Sequence, residues 1–104
     1  MKALGTSKGG SGKREESELV LFLDMLRAER GAAEKTIEAY TRDLSEYLGF
    51  LVTKRKTALD ASADTIRAYL AQLSRKGLAA TSRARKLSAM RQFYHFLLAE
   101  GLRK

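Results

Sequence analysis

GLAATSRARKLSAMRQFYHFLLAEG, residues 77–101, carries two signals at once. Leu87, Met90, Tyr94, Leu97 and Leu98 recur at helical spacing, with Gly77 before them and Gly101 after as stops. The polar residues of the same stretch are one-sided in charge: from Arg75 to Arg91 there are six basic residues and no acid. With Leu87, Met90 and Tyr94 turned to a core, Thr81, Ser82, Arg85, Ser88 and Ala89 fall on or near one outward face. Arg83, Lys86 and Arg91 then run along its flanks. Small hydroxyl residues let a backbone come close to a groove wall, and arginine offers guanine a two-pronged fork or holds phosphate. A helix N-terminus near Thr81 adds free N–H groups for a phosphate. Solvated helix faces usually mix signs, and this one does not.

The same period extends through the chain. Leu19, Phe22, Leu23 and Leu26 form a stripe that Gly31 stops. Ile37, Tyr40, Leu44, Tyr47, Leu48 and Leu51 form the next. After a polar connection over residues 54–61, Ser62 is placed to cap a third helix, with Asp64 in its first turn, Ile66, Tyr69, Leu70 and Leu73 as its stripe, and Gly77 as its stop. No segment alternates with the period of a strand. The expectation is an all-α fold, a small bundle of four main helices, over residues 16–104. Residues 1–15, rich in Gly, Ser and basic side chains, read as a flexible basic arm or appended tail. Their glycines do not complete a dinucleotide-binding fingerprint, and no strand precedes them.

Composition narrows the function. A chain of 104 residues supports one domain. It has no Cys, so thiolate zinc sites and cysteine nucleophiles fall away; its single His, His95, argues against a Ser-His-Asp triad or a His-based metal site, and no cofactor is expected. Apolar runs stay far below the roughly 18 residues of a membrane span, and no signal peptide is visible, which points to a cytoplasmic protein without membrane contact. Most aromatic residues sit on or beside the apolar stripes and read as core. The net charge of +8 is polarised. Residues 1–14 carry +4, residues 15–53 carry four basic and nine acidic side chains, and residues 54–104 carry twelve basic and three acidic ones. Such a distribution suggests a face that meets phosphate.

A second candidate surface is the start of the second helix, where Lys35, Thr36 and Arg42 reach phosphate if Glu34, Glu38 and Asp43 point elsewhere. Three stretches then make a pattern: Lys35-Thr36-Ile37-x-x-Tyr40-x-Arg42-Asp43-Leu44; Ile66-x-x-Tyr69-Leu70; and Ala80-Thr81-Ser82-x-Ala84-Arg85-x-Leu87-Ser88-Ala89-x-Arg91-x-Phe93-Tyr94-x-Phe96-Leu97. In order and spacing over about residues 16–104 they resemble the SAM-like N-terminal core-binding domain of tyrosine recombinases of the phage-integrase family. The pattern is similar to that of the bacterial Xer type, particularly its D member. Ala33 departs from it, standing where many relatives have a capping Ser.

That resemblance implies a four-helix domain forming one half of a clamp on a duplex DNA half-site, its second and fourth helices facing the major groove. Carried over residue by residue, it implies DNA contacts at Lys35, Thr36, Arg42, Thr81, Ser82, Arg83, Arg85, Lys86 and Arg91. It implies that strand cleavage belongs to a separate C-terminal catalytic domain bearing the tyrosine nucleophile, so this chain is expected to be a DNA-binding piece without enzymatic activity. The implied partners are that domain and sister recombinase subunits, in DNA integration, recombination and chromosome dimer resolution. A helical protein-docking module is the rival reading, and a helix-turn-helix repressor fits less well because no tight helix–turn–recognition-helix unit with a dimerisation segment is apparent.

Overall fold

The computed structural model describes residues 10–103, with side chains from residue 17 onward. Four helices follow one another: α1 (Gly10–Arg30), α2 (Glu34–Thr53), α3 (Ala63–Arg75) and α4 (Ala80–Ala99). Among the described residues there is no strand, as the uniform helical period requires. Residues 1–9 of the basic arm lie outside the described residues. From Gly10 the backbone is helical, inside the stretch read as coil. Adding residues to a formed helix gains one hydrogen bond each, without a second nucleation step.

The helices end where the glycines stand. Gly31, Gly77 and Gly101 all have positive φ, the left-handed conformation that L side chains resist. The end of α2 has no glycine to use, and Arg55 takes the same conformation at φ 59°. Ser62 caps α3 by accepting from the Thr65 backbone N–H at 3.2 Å, as its position suggests. Ala33 leaves α2 without a side-chain cap.

The predicted stripes of α1 and α2 largely form the core. Leu19, Phe22, Leu23 and Leu26 are all buried, as are Ile37, Leu44, Tyr47, Leu48 and Leu51. Phe22 packs against Phe93 and Phe96 of α4, with ring centroids 5.4 and 5.6 Å apart. On the other side, Tyr69 of α3 sits 5.0 Å from both Tyr47 and Phe50 of α2. Tyr47 and Tyr94 join α2 to α4 through their hydroxyls at 2.6 Å. Beyond α4, Arg103 donates to the carbonyls of Ala58 and Ala61 at 2.7 Å each and lies over the Tyr94 ring.

Helix α4 is turned relative to the expectation. Its buried residues are Lys86, Ala89, Met90, Phe93, Phe96 and Leu97, whereas Leu87 is only partly covered and Leu98 is 51% exposed. The face centres one residue away from the Leu87–Met90–Tyr94 line, a rotation of about 100°. Lys86 and Ala89, expected on the flank and the outward face, are therefore interior. Phe93 and Phe96, packed on Phe22, lie on this face, and Lys86 comes with it to meet a buried carboxylate of α2.

Candidate nucleic-acid interface

Helices α2 and α4 meet along a polar seam. At its centre is Asp43, whose side chain is 1% exposed although it stands beside Leu44 on the apolar side of α2. A buried carboxylate needs cationic partners to offset its desolvation. Two consecutive residues of α4 supply them. Arg85 donates through Nε to Asp43 Oδ2 at 2.7 Å and through Nη2 to Oδ1 at 3.0 Å. Lys86 donates through Nζ to Asp43 Oδ1 at 2.9 Å and to Glu46 Oε1 at 2.8 Å.

The ionisation follows from this geometry. Burial alone pushes the Asp43 carboxyl up, but the hydrogen bonds from Arg85 and Lys86 outweigh it and hold it below the usual carboxylate range. Burial likewise pushes the Lys86 ammonium down, and its bonds to Glu46 and Asp43 reverse the sign. The bond to Asp43 raises Arg85 above its ordinary value. Asp43, Arg85 and Lys86 are therefore all charged at neutral pH.

Next along the seam, Gln92 donates to the Tyr40 hydroxyl and to Ser88 Oγ at 3.1 Å each, and Arg30 donates to Gln92 Oε1 at 3.2 Å. Side chains of α2 and α4 are thus cross-linked from Tyr40 to Glu46, and Arg30 ties the end of α1 to the same seam. The sequence-predicted residues divide around it. Lys35, Thr36 and Arg42 on α2, and Thr81 and Arg91 on α4, are exposed. Ser82 is half-buried, and Arg83 leans toward α3, donating to Ser74 Oγ at 3.4 Å. Arg85 is held at the edge of the seam with its side chain 39% exposed. Lys86, 7% exposed, faces inward. Its place is a correction to the reading of a flank residue near phosphates. The start of α4 has no side-chain cap at Ala79, which leaves its first N–H groups to solvent or an anion.

Residues 19–101 match the family described as phage integrase, N-terminal SAM-like domain. The chain belongs to that family. Among similar proteins, the tyrosine recombinase XerD of Rhizobium meliloti (strain 1021) is 54% identical over 82 residues, covering 79% of this chain and 26% of that protein. The tyrosine recombinase XerD of Agrobacterium fabrum (strain C58) is 47% identical over 90 residues, covering 86% and 27% respectively. The chain spans about a quarter of the length of these curated relatives. No solved structure matches it.

Within this SAM-like domain, no group of three or more His, Cys, Asp or Glu that could hold a metal occurs among the described residues. No described helix is long and apolar enough to cross a membrane. The residues that sequence reasoning missed are Asp43 and Glu46, acids that organise a basic helix. Their signal was present: an acid set in the apolar side of α2, and two adjacent bases on another helix.

Proposed function

We propose that this SAM-like domain binds duplex DNA through α2 and α4, as the N-terminal clamp half of a cytoplasmic site-specific tyrosine recombinase. The observation that carries the reading is the acid-free run of α4, with Arg85 fixed at the seam and Arg91 and Thr81 exposed beside it. Lys35, Thr36 and Arg42 extend the same surface on α2. In this reading the exposed cations hold phosphates, and the helix ends and small hydroxyl residues allow close approach. Catalysis, and the assembly of sister subunits on a recombination site for DNA integration or chromosome dimer resolution, belong to the larger protein in which such a domain works.

A clamp half on its own lacks the gain in effective concentration that its second arm supplies. The chain is therefore expected to bind near the nonspecific range, about 10⁻⁴–10⁻⁶ M at physiological salt. The test is a fluorescence anisotropy titration with duplex DNA over a salt series. Affinity should fall linearly in log–log form, and Arg91→Ala should reduce the slope by about one unit. Binding to DNA that is absent, or indifferent to salt, would favour a protein-docking module.

A further inference from the structure

Asp43 meets Arg85 along one edge of the guanidinium, through Nε and Nη2. A two-point contact fixes the plane of the group as well as its position. It uses two of the five N–H bonds that arginine carries. The end edge, with one N–H from each Nη running in parallel, makes no hydrogen bond or ion pair among the described residues. A parallel pair of donors is what guanine O6 and N7 accept in the major groove. The support is itself buried and doubly bonded. Asp43 is 1% exposed, and its Oδ1 is shared with Lys86, which Glu46 holds from the other side.

We infer that Asp43 is a positioning residue for base readout: it aims the free end edge of Arg85 outward, so that one arginine reads guanine without searching. The inference rests on the DNA-binding reading of α4 and adds to it where sequence preference comes from. An unrestrained surface arginine loses rotamer freedom on contact and swings as readily to a phosphate as to a base. Arg85 has already lost that freedom in the free protein. Leaving for a phosphate would also strip Asp43 of one of its two cations, which opposes the nonspecific use of this side chain.

The probe is a duplex library with a randomised core, captured on the immobilised chain and sequenced before and after. Wild-type protein is expected to enrich guanine at one position. Asp43→Asn, nearly isosteric but uncharged, should reduce discrimination there by about 5- to 150-fold while affinity for unrelated duplex holds or rises. Arg85→Ala should erase the same position, and adding Asp43→Asn to it should change nothing further, because the acid acts only through the arginine. A merely structural role for Asp43 would instead weaken all sequences alike and leave the preference of the folded fraction intact. Arg85→Lys guards against failure of Asp43→Asn to fold, since lysine keeps the charge without the fork and should also lose the position. Guanine preference retained in Asp43→Asn or in Arg85→Lys overturns the inference and leaves DNA binding standing. Salt-dependent capture without any enriched base does the same. No capture by wild-type protein overturns the DNA-binding reading itself, and the inference with it.

Discussion

Replacing Lys86 by methionine asks whether charge holds the centre of the bundle. The Lys86 side chain is 7% exposed, with Nζ 2.9 Å from Asp43 and 2.8 Å from Glu46. Methionine keeps an unbranched apolar stem and removes the ammonium. The loss is a charge-assisted hydrogen bond to a buried carboxylate, about 1.5–3 kcal/mol. Breaking a buried pair outright costs about 3–5 kcal/mol, an upper bound here because Arg85 keeps its fork on Asp43. The bond to Glu46 adds little, since that carboxylate is 53% exposed and rehydrates. Relief of the burial of Lys86 itself acts in the opposite direction. The balance is about 2 kcal/mol at neutral pH, or about 8–16 °C in melting temperature for a domain of this size.

The pH dependence gives a second check on the same variant. A carboxyl held below its ordinary value contributes stability that is fully present above its unfolded pKa, about 3.9, and lost as pH falls through the folded value. Asp43 is such a group, and Lys86 is one cause of its shift. The gap between the two proteins should be widest at neutral pH and narrow below about pH 4. Thermal melts followed by circular dichroism, from neutral to acid pH, measure both quantities. A Lys86→Met protein melting at or above wild type at neutral pH would refute the reasoning, because desolvation would then outweigh the attraction.

Three further outcomes follow from single contacts. Gly49 lies inside α2, and a Cβ there would meet nothing within 4 Å, so Gly49→Ala should stabilise the domain by roughly 0.5–1 kcal/mol, read as a higher urea midpoint. Ser62→Ala removes the acceptor for the Thr65 N–H and should cost about 1 kcal/mol, with faster amide exchange in the first turn of α3. Arg103→Ala strips donors from the carbonyls of Ala58 and Ala61 and should cost about 1–3 kcal/mol, with amide exchange rising first between α2 and α3.

The all-α architecture and the core sides of α1 and α2 were legible because each apolar stripe is decided by its own residues. Phe22 and Leu44 are buried for the reason their spacing suggests. The rotation of α4 was not legible from α4. Its apolar residues are spread around the helix, with Leu87 and Leu98 on one side and Phe93 and Phe96 on another, so periodicity alone admits two phases. The packing of Phe93 and Phe96 on Phe22 belongs to one of them, and the partner that lets Lys86 be buried in that phase lies 43 residues away, at Asp43. A buried ion pair looks like two surface residues when each helix is read singly. The exposed candidates Lys35, Thr36, Arg42, Thr81 and Arg91 needed no such partner, and exposure is where their residue types put them.

Arg103 has a mechanical consequence. Its guanidinium fastens two carbonyls of the segment between α2 and α3, and it rests on the Tyr94 ring, whose hydroxyl is bonded to Tyr47. A force applied at the C-terminal side of α4 is therefore delivered sideways into that segment and into the middle of the bundle. Bonds loaded together share the pull, whereas a fraying helix end yields one bond at a time. The last turn of α4 is tied against peeling, and tension or torque reaching Arg103 is shared by α4, by the segment between α2 and α3, and through Tyr94 by α2.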